Sequence, residues 1–320
     1  MHYISKYQKG IIIGIFGVLI GSTSPIFVKI LLEDFTPTTI VPIAQIVSAI
    51  VLLFCYGLLP EIQKIHKKPI RDLFWIVVVS IFSAILAPLC LFSGLALTTA
   101  TNATIIGTLE TFFSIIIAFL WLKESLSSQQ KWGGTLMFLG VLYIVTNGFS
   151  LDLEVNRGDL LILLSAVFWA FGNNLFKKFI PNISPELMVT CRNVIGTGVN
   201  FFIVPYILGV DHSDINLKNI QANWMYIVGL AVLPIVLAQM LWYKTLKTLS
   251  ASVSSIIILT SPFFGVVLAM LILKEELLIH HLWGGVLVVA GLVTMMIHHH
   301  KHKKLSKHLH LFQCLRHHFH

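Results

Sequence analysis

The chain has 320 residues, 56% of them hydrophobic and 11% charged, with a formal net charge of +8 and a mean hydropathy of +0.86. Soluble globular chains carry about 25% charged residues, so a water-soluble fold is excluded. The apolar residues arrive in long runs parted by short polar loops, which excludes the short alternating segments of a β-barrel and leaves all-α membrane spans.

The first run, near residues 10–31, follows Lys6 and Lys9. It is too long for a signal-peptide core and reads as a retained first helix. At about 20 apolar residues per span, further helices are expected near 37–59, 73–94, 102–122, 132–149, 159–179, 186–209, 223–244, 251–273 and 282–297. Pro37, Pro60 and Pro185 fit helix boundaries, while Pro25, Pro42, Pro88, Pro205, Pro234 and Pro262 fall within spans, where a missing N–H frees a carbonyl and permits a kink.

Ten spans place 17 Lys and Arg residues on the side of the N-terminus and three, Arg157, Lys218 and Lys274, on the other. By the positive-inside rule both termini are expected in the cytoplasm and the chain in the cell (inner) membrane. The positive charge follows topology, so no nucleic-acid partner is expected. Cys55, Cys90 and Cys191 lie in apolar runs and Cys314 in a basic tail, without C-x-x-C spacing. Neither disulfides nor a thiolate metal site is indicated.

Shifted by 151 residues, segment 86–140 aligns with 237–291 without gaps and 19 of 55 positions are identical. The matches include Phe112-Phe113 with Phe263-Phe264, Lys123-Glu124 with Lys274-Glu275, Trp132-Gly133-Gly134 with Trp283-Gly284-Gly285, and Gly140 with Gly291. A weaker match at 148 pairs Lys29 with Lys177 and Pro37 with Pro185. Each unit holds five helices, an odd number, so the second enters the membrane from the opposite side. The expected organisation is a repeat over 1–150, an inverted repeat over 151–297 and a tail over 298–320.

In each half a first helix ends in Lys (Gly21-Ser22-Thr23-Ser24 to Lys29, Trp169-Ala170-Phe171-Gly172 to Lys177), a fourth ends in Lys-Glu and a fifth begins Trp-Gly-Gly. On these features the chain resembles the drug/metabolite transporter superfamily, EamA type, over residues 10 to 297. The resemblance implies a ten-helix carrier with a central cavity lined by helices one to four and six to nine. Helices five and ten would be peripheral and often packed on a partner, as in a homodimer. It further implies transport of amino acids or other small organic solutes, commonly outward. The family often has Arg in the second helix of a repeat. Arg192 fits this, but Ala44-Gln45 stand in the first half.

Glu110 falls near the middle of the fourth span, where an ionisable group costs about 2.5–3.5 kcal/mol even on lenient scales. It is either a proton-coupling or amine-binding group, or a fixed partner for Arg192 or Lys29. Arg192 either holds a solute carboxylate through its planar fork or snorkels to the interface. Lys29 and Lys177, near helix ends, read as interface anchors. Trp169, Asn173 and Gln239 complete the expected substrate-binding or coupling set, against the bland reading that membrane amides join helices. Trp132 and Trp283 read as belt residues, and the glycines Gly133, Gly140, Gly284 and Gly291 as a surface for close helix approach.

After Ile297, nine histidines stand among 23 residues with four lysines and one arginine. An amphipathic lipid-bound helix is the favoured reading, and a metal-binding tail on a metal-ion transporter the alternative. No P-loop motif is present and no catalytic cluster is evident near the interface, so an enzyme is not expected, nor any cofactor. A non-transporting scaffold remains the other alternative to a secondary transporter working by alternating access.

Overall fold

The computed structural model describes residues 6–56, 68–122, 128–148, 156–210, 213–248, 257, 260–291 and 293–294. The tail and the Lys123-Glu124 pair lie outside the described residues. Among the described residues ten apolar helices follow in chain order: α1 (Gln8–Leu31), α2 (Pro37–Cys55), α3 (Ile70–Leu97), α4 (Ala100–Ile117), α5 (Lys131–Val145), α6 (Arg157–Phe179), α7 (Glu186–Leu208), α8 (Leu217–Trp242), α9 (Ser261–Leu273) and α10 (Ile279–Gly291). Seven are long enough to cross a membrane, and α5, α9 and α10 are shorter. Among the boundaries that fall on described residues, the largest correction is α8, which starts at Leu217 rather than near 223. Asn216 caps it, its side-chain oxygen accepting from the Asn219 N–H at 2.8 Å, a polar start that hydropathy alone passes over.

Prolines and π-turns break the long helices where the sequence suggests. In α3 a π-turn over Ile81–Leu86 precedes Pro88, which has no N–H to offer the Ala84 carbonyl one turn back. Gln45 Nε2 donates to that carbonyl at 2.5 Å and Asn200 Nδ2 at 3.0 Å, while Arg192 Nη2 donates to the neighbouring Ser83 carbonyl at 3.0 Å. The kink of α3 is thereby tied to α2 and α7. Similar π-turns occupy Val199–Ile203 before Pro205 and Ala231–Ala238 around Pro234, and α1 breaks at Ser22-Thr23 ahead of Pro25.

The two halves interleave: α1 packs on α8, α3 on α6, α2 on α7, α4 on α9. Exchanging the halves maps this set onto itself, since α1 on α8 becomes α6 on α3. Single contacts obey the same exchange. Gly14 abuts Thr245, and their repeat counterparts, Ile162 and Gly94, abut each other.

Helices α5 and α10 settle the direction of the axis. A Cβ placed on Gly140 would lie 2.7 Å from the Gly284 carbonyl oxygen, one on Gly284 2.8 Å from that of Gly140, and one on Gly291 would strike the Gly133 carbonyl and Met137. Low numbers of one helix thus meet high numbers of the other. The pair is antiparallel, so the pseudo-two-fold relating the repeats is perpendicular to the helices and lies in the membrane plane. The glycine faces expected to admit another helix are filled within the chain.

Buried residues such as Leu31, Leu95, Ile106, Leu109, Met137 and Ile144 of the first half form the main core, joined by Ile162, Ile227, Leu230, Ala269 and Val288 of the second. Large side chains such as Phe54, Tyr206 and Leu271 point outward and are exposed, as a lipid-facing surface requires. Trp132 and Trp283 are also outward, as belt residues would be.

Candidate functional site

A cavity of about 320 Å³ lies between the halves, lined by α1–α4 and α6–α9. Its walls are drawn from matched positions of the repeat. Gly21 and Trp169 face it, as do Gln45 and Asn193, Pro88 and Gln239, Leu91 and Trp242, and Glu110 and Ser261. The cavity therefore sits on the pseudo-two-fold axis, and all of these pairs except Gln45 and Asn193, both amides, are chemically unlike. The first half gives the carboxylate. The second gives both tryptophans and two of the amides, so a solute meets an asymmetric site in a symmetric frame.

Of the expected site residues, Glu110, Arg192, Trp169 and Gln239 line this cavity. Asn173 does not line it but holds it in shape, donating through Nδ2 to Glu110 Oε1 at 2.6 Å. Lys177, one further turn along α6, is close enough to act electrostatically on Glu110. Neither Arg192 nor Lys29 is the partner of Glu110. Arg192 is spent at least in part on the Ser83 carbonyl, and Lys29 is near Glu275 instead. In each half the lysine of the first helix is near enough to a carboxylate of the other half to act on it electrostatically.

Gln45 and Asn200 behave as helix-joining amides, the Asn200 Nδ2 also donating to Gln45 Oε1 at 3.0 Å. Asn174 is similar, donating to the carbonyls of Ala170 and Ser114. Trp242 and Asn193 belong to the wall although the shorter expected set omits them. Their repeat counterparts, Leu91 and Gln45, also line it, but none of the five expected residues maps onto either pair by the 151 or 148 offset.

The cavity lies near mid-helix on the elements that line it. At the face that bears the end of α1 and the starts of α4, α6 and α8, four carboxylates tie one half to the other. Asp214 accepts from the Thr36 N–H at 2.6 Å and the Thr39 hydroxyl at 2.7 Å. Asp34 accepts from Asn223 Nδ2 at 2.7 Å, and Asp159 from the Thr98 hydroxyl at 2.5 Å. Glu275 accepts from the N–H groups of Ala100 and Thr101 at 2.8 and 2.9 Å and from the Thr101 hydroxyl at 2.7 Å, sealing the start of α4 as a capping carboxylate does. That face is closed across the junction of the halves. Among the described residues no group of three His, Cys, Asp or Glu is placed to hold a metal ion.

Residues 8–146 and 156–297 each match the EamA-like transporter family. An uncharacterized transporter of Synechocystis is 30% identical over 212 residues, 64% of this chain and 60% of that protein. One of Methanothermobacter thermautotrophicus is 27% identical over 251 residues, 74% of this chain and 71% of the relative. A Fusobacterium nucleatum protein named riboflavin transporter ImpX is 27% identical over 214 residues, 64% of this chain and 70% of that one. The chain thus spans 60% of the length of the cyanobacterial relative. A solved crystal structure superposes with a TM-score of 0.63 at 16% identity, covering 90% of this chain and 96% of that one, which is a likeness of fold.

Proposed function

Because the chain belongs to the EamA-like transporter family, we propose that it is a secondary active transporter that carries a small organic solute through the central cavity by alternating access, with Glu110 as the coupling group. The observation that carries this reading is the cavity wall built from matched positions of an inverted repeat. Such a site can be offered to either side when the halves exchange roles. The present arrangement is closed at the Glu275 face. The 17 to 3 distribution of basic residues supports reading that face as extracellular.

Glu110 supplies the chemistry. It is the one carboxylate of the wall and has no acidic counterpart, since Ser261 stands at the matched position. A carboxylate there accepts either a proton or the ammonium of an amino-acid-like solute, and outward transport of such a metabolite is the direction proposed. Trp169 and Trp242 add flat apolar faces, which favour solutes with an aromatic or heterocyclic portion. Riboflavin accordingly belongs in the test panel beside amino acids.

The test is uptake and efflux in proteoliposomes against that panel, with and without a pH gradient. Glu110→Gln keeps shape and most hydrogen bonding while removing titration. It is expected to assemble normally, lose pH-driven transport by tenfold or more and keep exchange of solute down its own gradient. Unchanged pH-driven transport by Glu110→Gln removes the coupling role. A metal-ion cargo would rest on the histidines of 298–320, outside the described residues, and metal-stimulated flux lost on deleting that tail would favour it.

A further inference from the structure

We propose that Lys177 is the resident counter-cation of Glu110: it holds the carboxylate while the carrier is empty and gives it up when a proton or the cationic group of a solute enters the cavity. This rests on the coupling role proposed for Glu110 and assigns a positioning residue to it.

Trp169, Asn173 and Lys177 recur every four residues and so lie on one face of α6. They descend about 12 Å at the helical rise, from the cavity wall toward the end of α6 at Phe179. The first of them lines the cavity. Asn173 binds Glu110 Oε1 at 2.6 Å, and Lys177 is the cation that acts on the same carboxylate. Carboxylate, amide and ammonium thus follow one another from the cavity wall toward the end of α6.

Comparison of the halves isolates what has been added here. Lys29, the counterpart of Lys177, is near Glu275 at the closed end; the counterpart of Glu275, Glu124, lies outside the described residues, and Ser261, the counterpart of Glu110, has no charge to balance. An acid in the wall and a lysine near enough to act on it occur together in one half-site, on helices from opposite repeats. The other charges near the cavity do not do this work. Arg192 of α7 is the second ionisable residue of the wall and is directed at the Ser83 carbonyl of α3. The wall residues of α1, α2, α3, α8 and α9 are uncharged.

An unpaired carboxylate in a half-dry cavity is costly, and a lysine one helical turn beyond its amide partner reduces that cost without blocking the cavity. When a proton from water neutralises Glu110, the ammonium keeps its own proton and loses only its attraction to the carboxylate. A solute ammonium displaces it by competition. In either case the α4–α6 contact loosens at the moment of loading, because those two helices belong to different halves.

The test reads the protonated-carboxyl C=O stretch of the full-length protein in lipid vesicles by infrared difference spectroscopy, with Glu110→Gln identifying the band. At pH 7 the Glu110 band is expected to grow at least twofold in Lys177→Gln and in Lys177→Met, and to match wild type in Lys177→Arg. Bands equal to wild type in both neutral variants overturn the proposal. So does a Lys177→Arg band that follows the neutral variants. Should Lys177→Gln fail to accumulate, Lys177→Met alone decides. The coupling reading fails separately: if Glu110→Gln keeps pH-driven transport while the neutral Lys177 variants raise the band, the pairing stands and the coupling role does not.

Discussion

A single carboxyl in mid-membrane was legible from the cost of placing it there, and Glu110 does face the cavity. Its partners were less so. Asn173 and Lys177 follow from α6 lying against α4, and no spacing within either helix announces that contact. Lys177, seen alone, has the look of an interface anchor. Arg192 is the clearest case of a role hidden in the sequence. Pro88 discloses that α3 must free a carbonyl, but which donors reach that turn depends on α2 and α7 crossing it. Arg192→Ala leaves the Ser83 carbonyl without its charged donor, so stability is expected to fall by about 1.5–3 kcal/mol. Thermal unfolding of the purified protein in detergent measures this. Arg192→Lys, able to donate but without the planar fork, is expected to recover part of the loss.

Helices were legible to within a few residues because about 20 apolar residues are needed per span, and α8 was missed at its polar capped start. The glycines of α5 and α10 were legible as a packing face, while the identity of the helix they admit was not, since the resemblance pointed to a partner molecule. Gly140 and Gly284 meet backbone to backbone, with Ile144 and Val288 closing over them. Gly284→Leu therefore drives a side chain into the Gly140 carbonyl and Ile144, and overpacking of this kind costs about 1–3 kcal/mol or more. The expected result is a sharp loss of monodisperse protein on size-exclusion chromatography. Gly198, also helical, has open space where a methyl group would stand, with nothing within 4 Å. Gly198→Ala is the control, expected to be neutral or stabilising by about 0.5–1 kcal/mol.

At the scale of the whole molecule, the offset repeat disclosed the inverted architecture because odd helix number and sequence identity are both visible without coordinates. The closed face was not visible, since Asp34, Asp159, Asp214 and Glu275 find their partners across the junction of the halves. Glu275→Gln weakens the cap on α4 and is expected to favour opening at that face. With the native cysteines replaced, a cysteine at Ser24 in the cavity wall should then be labelled by an impermeant maleimide from outside several times faster than in the parent; an unchanged rate would show that Glu275 does not hold that face shut. A reporter fused after His320 should be active only in the cytoplasm if the 17 to 3 orientation is right. One further consequence belongs to the contact between α5 and α10. Swapping the halves sends Gly140 against Gly284 into Gly291 against Gly133, the contact already present in the same pair. The α1–α8 contact, by contrast, becomes a different one. In a cycle that trades the roles of the two halves, α5 and α10 therefore form an axle, a joint that maps onto itself, as do α2 with α7 and α4 with α9, and so keeps its shape at both ends of the stroke. A covalent cross-link between α5 and α10 should leave the turnover rate intact, and one joining α1 to α8 near Gly14 and Thr245 should stop it.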